Sequence, residues 1–585
     1  MPLIGTAGHV DHGKSTLIEK ITGRDPDRWA VEKQRGLTID LGFAWATLPD
    51  GTEVSFVDVP GHERYLKNML AGIEAIDVAL LTVAADEGWM PQSEEHLAVL
   101  DLLEVGRAVV ALTKVDLVDE ELLELAAGEV AEQLVGSRLH GAPVVPVSAV
   151  TGYGVGDLLS TLSALLPEPP QDTSRPRLWV DRSFPVAGAG TVVTGSLLDG
   201  SISVGDQVEL LPSGRKARVR GIQSHERPHE RIGPGRRVAL NLAGVDHDRI
   251  ARGQMVGLPG QWALTQRFTV EIRTARYVDE IHRSGAYQLH IGSSASRVAL
   301  TGLADGVAML QVEIPLPLKV GDRFVLRDTG RKLVVAGGRV LDPTPARRTR
   351  EAMARSRRLD PSGKVDEIAG ALLAIRSIDS VHRLSAHSGG GRPAAGQVIG
   401  DTVISLQRWN GLEEAATRLV REDHGLHPLR PGLPLATLAE RLDIDPSIAG
   451  AVIDRAAGLE RVGPDVALAG HQVELGDDQV ERWQQAVSRL ARSLAVPDER
   501  DLGIDPELIH LKVRNGELVR IAPGLVYLPD QITELTTYLE DLGDSFTVAE
   551  FRDASGLSRK YAVPFLEWSD RVGLTVRRGD TRSLR

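Results

Sequence analysis

The sequence predicts a multidomain chain: an α/β phosphate-loop domain, two β-barrels, then C-terminal winged-helix repeats. Three observations carry that expectation. A glycine-rich loop at residues 8–15 stands between a short apolar run and a helical pattern, the context a phosphate loop requires. From about residue 175 to 345, short Val/Leu-rich runs are broken by glycines, as in Asp199-Gly200 and Gly233-Pro-Gly235, the texture of barrels. Near the C-terminus, runs beginning at Leu459, Leu518 and Leu574 share one shape, two short strands about a Pro, Gly or Asp turn. They are spaced 59 and 56 residues apart, and helices followed by a two-stranded wing describe a winged-helix unit.

Composition sets the limits. The chain has 585 residues, 42% hydrophobic and 25% charged, the balance of a folded globular protein of several domains. No stretch has the roughly 18 consecutive apolar residues of a membrane span, and the start lacks a signal-peptide pattern, so no membrane association and a cytoplasmic location are expected. Zero cysteines exclude disulfides, thiolate metal sites and a cysteine nucleophile. The formal net charge is −13, so a polyanion must bind at local basic patches. One candidate patch spans residues 345–358, with Arg347, Arg348, Arg350, Arg355, Arg357 and Arg358 against Glu351 alone; a solvated face and an anion contact are equally open readings of it. The other is 545–585, with eight Lys/Arg against five Asp/Glu.

In the first 166 residues, strands are expected at 3–7, 54–59, 78–84, 108–113 and 144–147, and helices at 93–103 and 120–134. That alternation predicts βαβ units on a parallel sheet. Pro167-Glu-Pro-Pro170 begins a linker. The expected domains are 1–170 for nucleotide, 175–261 and 262–345 for the barrels, and 411–472, 473–530 and 531–585 for winged helices. Residues 350–410 have the length of a degenerate fourth module, blurred by Gly389-Gly-Gly391.

The loop holds Gly8, His9, Val10, Asp11, His12, Gly13, Lys14 and Ser15, followed by Thr16. Its glycines let backbone N–H groups and a helix N-terminus cradle phosphates. Lys14 would reach the β- and γ-phosphates, and Ser15 would ligate Mg²⁺. Asp58-Val-Pro-Gly-His62 ends a strand, setting Asp58 on the Mg²⁺ side and Gly61 at the γ-phosphate. Thr113-Lys-Val-Asp116 follows, with Lys114 inside it and Asp116 suited to both donors of a guanine edge. Ser148 and Ala149 can offer a backbone N–H to the guanine carbonyl. Arg35-Gly-Leu-Thr38 supplies Thr38 for Mg²⁺ and the γ-phosphate. Singly each has a structural reading, such as a turn aspartate; five in this order predict a GTPase that binds GTP/GDP and Mg²⁺.

With these motifs the chain resembles the translational GTPases of the elongation factor Tu class. The resemblance implies that His62 orients the attacking water, flanked by Val10 and Leu37. The class usually begins its guanine motif with Asn where this chain has Thr113, a departure that weakens a contact bracing the site. Val180-Asp-Arg-Ser-Phe184 and Gly188-Ala-Gly-Thr-Val-Val-Thr-Gly195 resemble the second domain of the selenocysteine-specific elongation factors. That resemblance implies an aminoacyl pocket of Asp181, Arg182 and Arg237, with Arg236 one register step away. A selenol is more acidic than a thiol, whose reference pKa is about 8.5, so two guanidinium groups would favour its anion. Asp181 would fix an arginine or take the amino group.

The C-terminal modules resemble the array by which the bacterial members hold a messenger RNA hairpin. In the last, 547–554 and 558–571 would be helices, the second with Pro564 inside, and 574–585 the wing. Arg559, Lys560, Tyr561, Arg577, Arg578 and Arg582 would contact RNA. The resemblance implies a monomer that carries selenocysteyl-tRNA to the ribosome at UGA codons, tethered to an mRNA hairpin (SECIS). Rival readings are a general tRNA-delivering factor, the GTPase subunit of a sulfate-activating enzyme, and a GTP-switched DNA-binding regulator.

Overall fold

A computed structural model describes residues 2–24, 41–59, 76–188 and 190–585. The chain forms two compact units, Met1–Leu406 and Gln407–Arg585. Among the described residues, no helix is long and apolar enough to cross a membrane.

The first unit opens with a six-stranded sheet. Its strands are β1 (Leu3–Gly8), β2 (Gly42–Thr47), β3 (Glu53–Asp58), β4 (Val78–Ala84), β5 (Ala108–Thr113) and β6 (Val144–Pro146), in the order β2-β3-β1-β4-β5-β6. β4 and β5 are buried along their whole length, as strands covered on both faces must be. Alternation sends Ile4, Leu80 and Val109 to one apolar cluster and Leu3, Leu81 and Val110 to the other. Helices Lys14–Thr22, Pro91–Leu102, Glu120–Gln133 and Val155–Leu165 supply the rest of this layer. Pro91 opens its helix at the position where no N–H is needed, and Asp119 caps the next by accepting Leu122 N–H at 3.0 Å.

The sheet is not wholly parallel. β2 runs antiparallel to β3, pairing Gly42 with Asp58 and Thr47 with Glu53. Its sequence, GFAWAT, has neither an unbroken run of β-branched residues nor a clean alternation, so periodicity does not reveal it.

Two barrels follow. In the first, Arg177–Val186, Gly190–Leu198, Arg236–Ala243, Arg215–Ser224, Gln207–Leu211 and Met255–Gly257 form a ring. It closes through pairing of Gln207–Leu211 with both Arg215–Ser224 and Met255–Gly257. The second closes six strands between Leu264–Thr274 and Leu333–Asp342. Ser294–Ala304 in it alternates buried and exposed residues along most of its length, the mark of a barrel wall. Buried Arg177 bridges the two barrels, 3.0 Å from Asp199 and 2.7 Å from Asp322.

The same unit continues with helices Thr349–Ser356, Val365–Arg376 and Val381–Ser388 and a three-stranded sheet of Ile378–Ser380, Gln397–Ile399 and Thr402–Ile404. Between Gly389 and Gly396 the backbone has no regular structure, where a complete winged helix would carry its second helix of the pair.

In the second unit three helix–wing modules succeed one another. Their wings are Leu459–Val462 with Asp465–Leu468, Val519–Ala522 with Leu525–Tyr527, and Thr575–Arg578 with Thr581–Leu584. Adjacent modules are joined by charge, Arg514 with Asp465 at 3.1 Å, and by the Arg571 guanidinium donating to the Ile521 carbonyl at 2.6 Å.

Candidate functional site

The phosphate loop leaves β1 at its carboxyl end, the edge where open α/β sheets bind ligands. Its backbone cannot carry ordinary side chains at every position. Gly8 has φ +128°, and a Cβ there would lie 2.2 Å from the Thr82 carbonyl oxygen. Gly13 has φ +77° as the residue before the helix Lys14–Thr22.

Side chains from neighbouring elements hold the loop in this shape. Gly8 N–H donates to Nδ1 of buried His96 at 2.8 Å, and Val10 N–H donates to Gln92 Oε1 at 3.1 Å. Both acceptors lie on the helix Pro91–Leu102, four residues apart and so on one face. Burial holds His96 far below the usual histidine range, at about 3, so its Nδ1 stays free to accept. Buried His12 is likewise pushed down by burial to about 4, and its Nδ1 lies 3.3 Å from the Thr82 carbonyl. Nδ1 therefore carries the ring proton.

Lys14 is buried, and its ammonium donates to the carbonyls of Gly8, at 3.0 Å, and His9. Burial pushes it down to about 8, opposed by Asp58 and Asp11. A phosphate would restore the compensation that such a buried cation lacks. Asp58 is fully buried at the end of β3. It accepts from Thr6 Oγ1 at 2.7 Å and from Ser15 Oγ at 2.6 Å, and Thr6 Oγ1 in turn accepts Val59 N–H at 3.0 Å. A carboxylate and a hydroxyl oxygen already adjacent fit a hard divalent cation such as Mg²⁺. Thr16 is exposed on the first turn of the helix. Arg35, Leu37, Thr38, Gly61 and His62 lie outside the described residues.

On the guanine side, Thr113 closes β5, and its hydroxyl donates to the His12 carbonyl at 2.8 Å. Thr113 thus reaches the phosphate loop with a side chain shorter than the Asn usual in the class. Lys114 takes φ +57°, and its ammonium meets Glu87 at 2.8 Å. Asp116 is exposed on the single turn Val115–Leu117. Ser148 is buried, with its N–H bonded to the Tyr153 carbonyl at 3.0 Å and its hydroxyl accepting Thr151 N–H at 3.2 Å. Ala149 follows it, half-buried.

A second cluster lies where the first barrel faces β2. Strand Arg177–Val186 is irregular: Val180 pairs with Gly195 and Arg182 with Thr194. Asp181 is the extra residue between them, and such bulges re-aim side chains. Its carboxylate accepts from Arg237 at 2.9 and 3.0 Å, and Thr194 Oγ1 bridges the two. Of the two adjacent arginines, Arg237 is the one in this contact. Its guanidinium lies 3.5 Å from the Phe43 ring centroid, with that of Arg182 5.6 Å away. Arg182 also donates to the Leu41 carbonyl at 2.8 Å. Two guanidinium groups and one carboxylate thus meet in a half-buried cleft. A cavity of about 220 Å³ adjoins it, lined in part by Phe43, Trp45, His225 and Arg237.

The terminal module carries its helices at Val548–Ser555 and Arg559–Arg571. Thr547 and Glu550 form a reciprocal capping box, Glu550 accepting Thr547 N–H at 2.7 Å and Thr547 Oγ1 accepting Glu550 N–H at 3.3 Å. Arg559 and Lys560 are exposed at the second helix's start, Tyr561 is half-buried beside them, and the Lys560 ammonium stands 5.2 Å over the Tyr561 ring. Arg577 and Arg578 are exposed on the wing. Arg582 is not: it is 4% exposed, and its Nε donates to Asp570 at 2.9 Å. Its strand is the middle one of three, between Phe546–Thr547 and Thr575–Arg578, so the guanidinium braces the hairpin instead of facing solvent.

Sequence reasoning missed Thr6, Phe43, Gln92, His96 and Thr194. Only Gln92 and His96 leave a local signal, their spacing of four at a helix start after Pro91.

Four family descriptions match the chain: "Elongation factor Tu GTP binding domain" over residues 1–168, "Elongation factor Tu domain 2" over 190–257, "Selenocysteine-specific elongation factor, beta-barrel domain" over 265–347, and "Elongation factor SelB, winged helix" over 537–584. The selenocysteine-specific elongation factor of Desulfomicrobium baculatum is 32% identical, with all of both chains covered. That of Escherichia coli (strain K12) is 34% identical over all of this chain and 98% of its own. A crystal structure of a bacterial selenocysteine-specific elongation factor, EF-Sec, superimposes with a TM-score of 0.72 at 28% identity, covering all of both chains.

Proposed function

Because the chain belongs to the family of selenocysteine-specific elongation factors, we propose that it delivers selenocysteyl-tRNA to the ribosome at UGA codons, with its C-terminal winged helix on an mRNA hairpin (SECIS). It is a GTP-dependent translation factor, a translational GTPase with the guanine-nucleotide-binding domain of its class. In this reading it works as a cytoplasmic monomer.

The N–H groups of the loop through residue 16, other than those of Gly8 and Val10 that His96 and Gln92 accept, hold the phosphates, and Lys14 supplies the charge that answers them. Ser15, Thr38 and Asp58 hold Mg²⁺, which when bound neutralises phosphate charge. Asp116 reads the two donors of the guanine edge. Because Ser148 N–H is already given to Tyr153, Ala149 N–H is the group for the guanine carbonyl. His62 orients the water that attacks the γ-phosphoryl group, giving GDP and phosphate, with Gly61 beside that group.

Cargo choice rests on the single observation that two positively charged guanidinium groups, Arg237 and Arg182, gather at Phe43 beside Asp181. A selenolate gains from that charge by charge-assisted hydrogen bonding, and a serine hydroxyl gains far less. Asp181 holds Arg237 in place. Arg559, Lys560, Tyr561, Arg577 and Arg578 form the hairpin-contacting face, with phosphates meeting the cations and one base stacking on Tyr561.

The test is protection of the aminoacyl ester from hydrolysis by the GTP-bound protein, comparing selenocysteyl-tRNA with seryl-tRNA on one tRNA body. GTP-dependent protection of the first alone is expected. Equal protection of both sinks the anion-selective cleft, and protection of neither sinks delivery itself.

A further inference from the structure

The arginine run at 347–358 has no part in the reading above. Its middle is the helix Thr349–Ser356, laid against the second barrel. Ala352, Met353 and Ser356 are buried, and the Ser356 and Thr269 hydroxyls are 2.6 Å apart. A Cβ added at Gly302 would stand 2.6 Å from the Thr349 methyl and 2.8 Å from the Met353 sulfur, so the helix presses directly on strand Ser294–Ala304. Before it, Arg267 donates to the carbonyls of Ala346 and Arg347 at 2.8 and 2.9 Å. The whole ridge therefore stands on a fixed support.

All six arginines of the ridge are exposed. Two are answered within the fold, Arg355 by Glu351 and Arg357 by Asp305. Arg347, Arg348, Arg350 and Arg358 form no ion pair among the described residues. Four unanswered like charges on one short segment repel each other. In a chain of net charge −13, their gathering is accounted for by an anion that meets them together.

We propose that this ridge is a contact surface for the phosphate backbone of a double-helical arm of the tRNA cargo, an inference that rests on the delivery reading. Guanidinium groups pair with phosphate oxygens through two N–H donors at once. Residues 345–358 contain no aromatic side chain, so the ridge offers nothing for an unpaired base to stack on; a helical arm recognised by its backbone fits better than a splayed strand. The ridge also belongs to the same compact unit as the nucleotide domain and the Asp181–Arg237 cleft, whereas the terminal basic helix belongs to the other.

The test uses the full chain bound to GTP, with selenocysteyl-tRNA titrated at several salt concentrations. The variant is R347Q/R348Q/R350Q/R358Q, beside its all-lysine counterpart. Each neutralised phosphate contributes about 0.7 to 0.9 to the slope of log affinity against log salt, so loss of four contacts should make the glutamine variant's slope shallower by roughly 3 to 4. Its tRNA affinity at low salt should fall about 10- to 100-fold. The lysine variant should keep most of both, and hairpin affinity and thermal midpoint should not move. Unchanged tRNA affinity and slope in the glutamine variant, with the wild type binding tightly, overturns the ridge alone. A fall in hairpin affinity with tRNA affinity intact also overturns it, by assigning the surface to the message. A wild type that binds no aminoacyl-tRNA overturns the delivery reading and the ridge with it.

Discussion

The phosphate loop and the Asp181–Arg237 cleft are held in shape by opposite means. Around the loop, the side chains that reach it from other elements are uncharged or held neutral: His96, Gln92 and Thr113. In the cleft, charged side chains fix one another, Asp181 on Arg237 with Arg182 alongside, over the Phe43 ring. The difference teaches where each site is vulnerable. The first depends on backbone shape and should fail through sterics or a lost acceptor. The second depends on charge and should fail through neutralisation with the backbone intact.

The sharpest break comes from G8A. A methyl 2.2 Å from the Thr82 carbonyl at a φ of +128° forces the loop to move, a strain of about 1–3 kcal/mol beyond the overlap itself. A nucleotide titration should show at least about a 100-fold loss of GTP affinity, with a lowered thermal midpoint. Retained affinity would mean the loop shape is not what binds.

In the cleft, R237Q and D181N should leave GTP binding intact. Each should reduce the preference for selenocysteyl- over seryl-tRNA about 10- to 100-fold, the value of a charge-assisted hydrogen bond at 1.5–3 kcal/mol. Loss of GTP affinity in either variant would erase the contrast between the two sites.

His96 sharpens it further. H96L removes the acceptor of Gly8 N–H and should speed GDP release about 10-fold, from an unsatisfied buried donor worth about 1–3 kcal/mol. H96N keeps an acceptor and removes the titration. An unfolded histidine takes a proton near its usual 6.5, whereas His96 and His12 in the fold do so only near about 3 and about 4. As pH falls below 6.5 the unfolded chain gains protons that the folded domain refuses, so stability is lost across that window. The thermal midpoint of the wild type should drop between pH 7 and pH 5, and that of H96N should drop less.

The smallest effect belongs to T113V, which deletes the hydroxyl donated to the His12 carbonyl. A net hydrogen bond of about 1 kcal/mol corresponds to a GTP affinity lower by about 5-fold.

What the sequence revealed follows the same division. The phosphate loop, Asp58 and Asp116 are contiguous motifs whose chemistry depends on neighbours in the chain, so they could be read directly. The parts that brace them come from elsewhere: His96 is 88 residues from Gly8, and Phe43 sits on a strand whose antiparallel pairing no periodicity announces. The fold class was legible from alternation, glycine punctuation and the repeat spacing, because each is local. Arg582 was assigned to the RNA face because a wing's basic residues look alike until the middle strand is known. That strand is set by Phe546–Thr547, more than thirty residues upstream.

The irregularity at Asp181 has a consequence for how such a cleft arises. Val180 and Arg182 already face successive partners, Gly195 and Thr194, so a chain without residue 181 would run an unbroken ladder with every inward side chain where it is now. The carboxylate that holds Arg237 is thus a one-residue graft on a barrel that does not need it. In the proposed reading, selectivity for a charged cargo is gained or lost at this point by a single codon, with the partners of Val180 and Arg182 unchanged.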